Sequence, residues 1–268
     1  MRRRIAVTAL VLCAALAGCG GGGTTTASGS SAPAAAGAGS RSASPSGAIT
    51  VFAAASLQES FTDIGKAFEA AHPGTKVTFS FGPSSGLAAQ ITQGAPADVF
   101  ASASGATMER VVSAGAASGP KPFARNMLAI AVPPKNPARI TRLADLARPG
   151  VKVALCQPQV PCGVVAAEVL RKSGVAVRPV TLETDVKATL TKVQLGEVDA
   201  GLVYVTDVRA AGERVAGVEI PADVNASTTY PIAALTGSGN AATARAFVDT
   251  VLSGPGQAVL ALAGFTRP

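Results

Sequence analysis

From about residue 48 to its end, the chain is predicted to fold as α/β, with mainly parallel sheets flanked by helices. Three observations predict this. Apolar runs of strand length alternate with stretches of helical period, and no internal repeat interrupts the alternation. Several of the strand-like runs also end in small or polar residues where a helix begins. Strands and helices alternating at these lengths pack as parallel sheets covered on both faces.

The elements follow in order. Ile49–Ala53 (Ile-Thr-Val-Phe-Ala) reads as a strand, and Leu57, Phe61, Ile64 and Phe68 then recur on one helix face. Lys76–Phe81 is a second strand, followed by a helix carrying Leu87 and Ile91. Ala97–Ala101 and Met127–Val132 are the third and fourth strands, the latter ended by Pro133-Pro134. Val151–Leu155 is a fifth, followed by a helix from about Gly163 to Lys172 with Gly174 as its C-terminal cap. Val177–Leu182 is strand-like, and Asp185–Leu195 is helical and stopped at Gly196. Ala200–Tyr204 and Tyr230–Leu235 complete the strands, and the chain from about Ala241 is mostly helical.

The N-terminal segment sets the compartment. Arg2, Arg3 and Arg4 precede an apolar run, Ile5–Leu16, too short to span a bilayer, which needs about 20 apolar residues. Such a start reads as a secretory signal. Leu16-Ala17-Gly18-Cys19 resembles the lipobox of bacterial lipoproteins, which implies cleavage after residue 18 and a lipid on Cys19. Residues 20–47 are almost entirely Gly, Ser, Thr, Ala and Pro and cannot bury enough apolar surface to order themselves. Residues 19–47 are therefore expected to be an anchor and a flexible tether, and the product extracytoplasmic and held at the cell membrane.

Composition narrows the remainder. The net charge of +7 falls to +4 without the three leader arginines, and the excess is spread out with few aromatics beside it. Nucleic-acid binding requires a concentrated basic stripe, so that class is excluded. Cys156 and Cys162 lie six positions apart outside the cytoplasm, where disulfides persist. With no further Cys or His nearby for zinc and no C-x-x-C spacing, they are expected to form a structural disulfide. An exported hydrolase would need a nucleophile with a base in reach, yet the sole histidine, His72, sits in an Ala-His-Pro-Gly turn. No catalytic residue is assigned.

The strand-to-helix junctions carry the functional signal. The first strand runs into Ala53-Ala54-Ala55-Ser56, where Ser56 and Glu59 have the spacing of a capping box. The second runs into Gly82-Pro83-Ser84-Ser85-Gly86, the fifth into Cys162-Gly163, and the sixth into Asp185-Val186 with Asp185 as helix cap. In parallel α/β sheets such turns gather at the carboxyl ends of the strands, where ligands bind. The free amides and positive dipole ends of the helices make each an anion site. Asp98 reads as a hydrogen-bonding or hinge residue at a strand end; Asp63, Glu69 and Asp145 read as solvated faces or caps.

These segments resemble one family. Ile49–Leu57, Leu87–Ile91, Gly94-Ala-Pro-Ala-Asp-Val-Phe100, Asp185-Val186, Gly201–Tyr204, Tyr230–Ala233 and Gly264-Phe265-Thr266 are similar to the periplasmic molybdate-binding proteins of ABC importers (the ModA family). The resemblance runs in order over nearly the whole domain. It implies a two-lobed periplasmic-binding-protein fold of type II, with lobes of residues 48–125 plus 224–268 and of residues 126–223 joined by two crossing strands. It also implies a site of neutral donors: Ser56 and Ser84 through hydroxyl and amide, the amides of Cys162 and Val186, and the Tyr204 hydroxyl. Ser85 is an alternative to Ser84. These residues would hold the metal through the oxygens of molybdate or tungstate, not by direct ligation. The expected function is capture of molybdate or tungstate by a monomer that needs no cofactor, for delivery to an ABC permease. The alternative is another tetrahedral oxyanion such as sulfate.

Overall fold

The computed structural model describes residues 44–268. The expected signal peptide (1–18), Cys19 and the tether through residue 43 lie outside the described residues. The fold begins slightly before Ala48. The amide of Ser46 donates to Thr243 Oγ1 at 3.1 Å, and Gly47 already pairs with Thr75 in the first strand.

In chain order the elements are β1 (Gly47–Ala54), a 3-10 turn (Ala55–Leu57), α1 (Gln58–Ala71), β2 (Thr75–Gly82), α2 (Ser84–Thr92), β3 (Val99–Ala101), α3 (Gly105–Ser113) and β4 (Lys121–Val132). They continue with β5 (Val153–Cys156), α4 (Pro161–Ser173), β6 (Thr181–Glu183), α5 (Val186–Gln194), β7 (Ala200–Tyr204), α6 (Val205–Ala211) and β8 (Ala216–Glu219). β9 (Ser227–Ala234), α7 (Ala241–Leu252) and α8 (Gly254–Ala263) end the chain.

The strands follow the order β2-β1-β3-β9-β4-β7-β5-β6, with β8 paired to β4. β1 lies parallel to β2 and β3, and β5 lies parallel to β6 and β7, so each half is built on parallel pairs. Between the halves run the antiparallel strands β4 and β9. The first half of β4 pairs with β9, whereas Leu128–Val132 pair with β7 and β8. One long strand thus serves both halves of the sheet.

Two main cores sit on either side of this crossing. One gathers Ile49, Phe61, Phe68, Phe123, Tyr230, Phe247 and Phe265 from β1, α1, β4, β9, α7 and the C-terminal end. A smaller cluster around Leu87, Phe100 and Met108 packs α2 and α3 beside it. The other main core gathers Ile130, Val153, Val169, Leu190, Val203 and Ala226 from β4, β5, α4, α5, β7 and the approach to β9. Ala55, at the tip of β1, belongs to this second core and crosses from one half to the other.

Helix ends follow their local chemistry. Asp185 caps α5, accepting from the amide of Ala188 at 2.9 Å. Gly174 closes α4 in the left-handed conformation at φ 67°, which a residue without Cβ adopts at no steric cost. α4 starts two residues before Gly163, with Pro161 in its first turn, where a missing amide hydrogen costs nothing. The capping box expected at Ser56 and Glu59 does not form: neither side chain caps the turn or α1. Ser56 Oγ is bonded instead to the Tyr230 hydroxyl, and Glu59 to Lys187. The strand expected over 177–182 is shorter, because only Thr181–Glu183 pair with β5. α3, α6, β8 and the first half of β4 are additional to the elements read from the sequence. Asp98 behaves as a strand-end residue, accepting from the Thr50 amide at 2.7 Å and from Ser238 Oγ at 2.6 Å.

Candidate anion site

A cavity of about 20 Å³ lies where β1, α2, α4, α5 and β7 meet. Ser56, Ser84, Cys162, Val186 and Tyr204 all line it, so the structure brings together the five residues singled out in the sequence. Ser85 is half-buried and is not part of the lining. By volume the cavity holds one water-sized sphere or little more. No Lys, Arg or His lines it, and its one carboxylate, Asp185, is engaged by the Ala188 amide.

Three helix N-termini supply the cavity wall. Ser84, Pro161-Cys162 and Val186 are the opening residues of α2, α4 and α5. The first amides of a helix have no carbonyl within it to bond. They point out of the helix end, where the aligned peptide dipoles are worth roughly half a positive charge. The helix ends therefore present positive partial charge to the cavity, and no cationic side chain is among its lining residues.

The hydroxyls are set to donate. Ser84 is buried, and its Oγ accepts from the Ala103 amide at 3.0 Å, which leaves its own hydrogen free. Ser56 is also buried, and its Oγ lies 2.9 Å from the Tyr230 hydroxyl. When Tyr230 donates in that bond, Ser56 keeps a hydrogen for the cavity. Tyr204 is fully buried, and its Oη makes no aligned hydrogen bond among the described residues, although the Tyr230 hydroxyl lies close enough to act on it. Burial pushes the Tyr204 phenol well above its usual pKa, with Tyr230 and Asp207 adding to the effect. The group stays protonated and is a donor. Burial likewise raises the Tyr230 phenol, opposed by its bond to Ser56.

The backing of the wall is more charged. The Tyr204 amide donates to Asp207 Oδ2 at 3.0 Å, and Asp207 is fully buried. Burial raises its carboxyl from 3.8 to about 6, against the opposing charge of Lys187. Lys187 Nζ is 3.4 Å from Asp207 Oδ1, an ion-pair contact that lacks hydrogen-bond alignment. Beside the cavity, Cys156 and Cys162 form the expected disulfide, with Cα atoms 5.8 Å apart. Gly163 is needed there: a Cβ would stand 1.9 Å from the Gln157 carbonyl oxygen.

Sequence reading missed the supporting residues. Tyr230 lay in a quoted segment without a role, while Asp207 and Lys187 were not singled out. No spacing rule links Ser56 to Tyr230 or Glu59 to Lys187, whereas Asp207 did carry a local signal, an acid three residues after Tyr204 that accepts from the backbone at the start of α6. Among the described residues there is no cluster of His, Cys, Asp and Glu that could hold a metal ion directly.

Residues 49–266 match the family of bacterial extracellular solute-binding proteins. The chain belongs to that family. A molybdate-binding protein ModA of Mycobacterium tuberculosis is 44% identical over 232 residues, which cover 84% of this chain and 89% of that one. A substrate-binding domain of a putative molybdenum ABC transporter from Clostridium difficile is 27% identical. It superposes with a TM-score of 0.64 over 83% of this chain and 100% of its own. The periplasmic molybdate-binding protein of Azotobacter vinelandii superposes at 0.74 over 82% and 99%, and at 23% identity it speaks for the fold alone. The family's members are solute-binding proteins of transport. This one is accordingly an extracytoplasmic two-lobed binding protein that needs no cofactor, and it is not an enzyme.

Proposed function

We propose that the cavity binds molybdate, and tungstate as its near twin, for delivery to an ABC importer. The observation that carries this reading is Tyr204, a lining residue whose fully buried Oη makes no aligned hydrogen bond among the described residues, at a cavity walled by three helix N-termini. A buried polar group left unpaired costs about 1–3 kcal/mol. An oxyanion with no proton of its own would satisfy it.

In this reading Ser56, Ser84, Cys162, Val186 and Tyr204 hold the oxygens of the anion. The metal sits at its centre and touches no side chain. Hydrogen phosphate is disfavoured because its proton would need an acceptor in a wall made mainly of donors, whose one carboxylate, Asp185, already caps α5 through Oδ1. The cavity volume excludes a sugar or a peptide. The M. tuberculosis and C. difficile relatives, named for molybdate or molybdenum, support the choice among small oxyanions.

The lobes would be residues 48–125 with 224–268, and residues 126–223, closing on the anion about β4 and β9. The monomer would ride on a lipid at Cys19, with the residues before the fold as a tether that lets it search for its permease.

Calorimetric titration with molybdate, tungstate, sulfate and phosphate tests the ligand. Tight one-to-one binding of the first two, with the others silent, is expected. Sulfate binding as tightly as molybdate would overturn the assignment and leave the oxyanion site standing. Silence for all four would reject the site.

A further inference from the structure

Behind the donors lies a charged bridge that joins the two halves of the molecule. Lys187 Nζ contacts both carboxylate oxygens of Glu59, at 2.7 and 2.8 Å. The residues are 128 positions apart. Glu59 is in the first turn of α1, which packs into the core of Phe61 and Phe247, while α5, which carries Lys187, packs into the core of Val153 and Leu190. Each also stands close in sequence to a cavity donor: Glu59 three residues after Ser56, Lys187 immediately after Val186.

The same ammonium reaches Asp207 Oδ1 at 3.4 Å, and the other oxygen of Asp207 takes the Tyr204 amide at 3.0 Å. One charge is therefore tied to three donor positions. Adjacency ties it to Val186, Glu59 to the helix that follows Ser56, and Asp207 to the backbone of Tyr204. Asp207 and Lys187 belong to the same half, so their contact fixes the ammonium before it reaches across.

We infer that Glu59 and Lys187 form a latch between the lobes, a positioning pair that holds the donors of both halves at the closed separation. A contact made only in the closed form raises the population of that form, and a ligand of the closed form then binds more tightly. The binding part of this inference rests on the anion reading of the cavity; the conformational part stands on the bridge alone. Glu59 is about half exposed, with a side-chain accessibility of 49%, so the pair is open to salt.

The test uses Glu59→Gln in the otherwise unaltered mature protein. This change keeps the Lys187–Asp207 contact and alters a half-exposed side chain, so folding is preserved. Molybdate is titrated at low ionic strength and again in about 1 M salt, where the screening length falls to about 3 Å. The ligand-free proteins are compared by small-angle scattering. At low salt the variant is expected to bind molybdate about two- to fivefold more weakly, the range for a partly exposed ion pair. The gap closes in high salt, and the ligand-free variant is more expanded than the wild type. Glu59→Asp recovers part of the affinity, while the unfolding temperature of both variants stays near that of the wild type. Equal affinities at low salt, or identical scattering of the two ligand-free proteins, would overturn the latch. If the wild type itself failed to bind molybdate, the anion reading would fall, and the scattering comparison would still decide the latch.

Discussion

At the scale of single residues, Tyr204 shows how a cost in the ligand-free protein becomes affinity. Its hydroxyl is buried without an aligned hydrogen bond among the described residues. Tyr204→Phe removes that unpaired group, so the ligand-free protein is expected to be as stable as the wild type or more stable by about 1 kcal/mol. Loss of a hydrogen bond to a charged ligand is worth about 1.5–3 kcal/mol, so molybdate affinity should fall roughly 10- to 100-fold. Thermal unfolding and titration of the same sample check both halves, and a destabilised variant with unchanged affinity would refute the role. Asp207 gives a prediction in pH. Its folded-state value of about 6 lies above the ordinary 3.8, mainly through burial, so the folded protein holds this proton more tightly. The resulting stabilisation is complete below pH 3.8 and is lost as pH rises through 6. Between pH 4 and 7 the wild type should lose on the order of 2–3 kcal/mol relative to Asp207→Asn. Unfolding of both across that range is the check, and a constant difference would contradict the assignment. Four of the five donors, Ser56, Ser84, Cys162 and Val186, were legible because each sits at a strand-to-helix junction, whereas Tyr204 came from the family resemblance alone. Glu59 was legible only as half of a capping box, and that reading failed because its partner, Lys187, lies 128 residues away.

At the scale of elements, the site depends on where helices begin. α4 is the most constrained: the disulfide closes a short ring before it, and Gly163 lets the Gln157 carbonyl approach its first turn. Gly163→Ala would place a methyl group 1.9 Å from that oxygen, so the loop must move. Overpacking of this kind costs about 1–3 kcal/mol. The variant is expected to unfold at lower temperature and to bind molybdate more weakly, because the displaced loop packs on the first turn of α4 and is tied to Cys162 by the disulfide. A wild-type affinity would show that the loop does not position a donor. Replacing both cysteines with serine should cost about 2 kcal/mol by the loop-entropy model, measured by denaturant unfolding. The regular strands and amphipathic helices were readable because burial imposes their periods. The first half of β4 was not: Pro122, Arg125 and Asn126 break the apolar pattern, and its place is held by pairing with β9. α6 also escaped notice, since it follows β7 directly at Val205 with no turn residue between them. α3 did carry a signal, Ser104 as cap with Met108 and Val111 on one buried face, which a closer reading would have used.

At the scale of the whole molecule, two cores flank one pair of crossing strands, and the candidate site lies between them. Ala55 packs into the far core from the tip of β1, and the Glu59–Lys187 bridge spans the same gap. A ligand with donors on both sides should favour the closed arrangement only by its differential affinity for it. Small-angle scattering is expected to show compaction when molybdate saturates the protein; an unchanged radius of gyration would contradict lobe closure. The alternation of strands and helices was enough to give the α/β class, while the two-lobed arrangement came from family resemblance. The division into lobes is set by β4 changing partners half-way along its length, a long-range pairing that no local pattern encodes. The most direct test of the account is a crystal structure of the protein grown with molybdate, using the anomalous scattering of molybdenum to locate the metal. The account predicts one strong peak in the cavity bounded by Ser56, Ser84, Cys162, Val186 and Tyr204, with only oxygens between metal and protein. A peak elsewhere, or a metal bound directly by side chains, would contradict it.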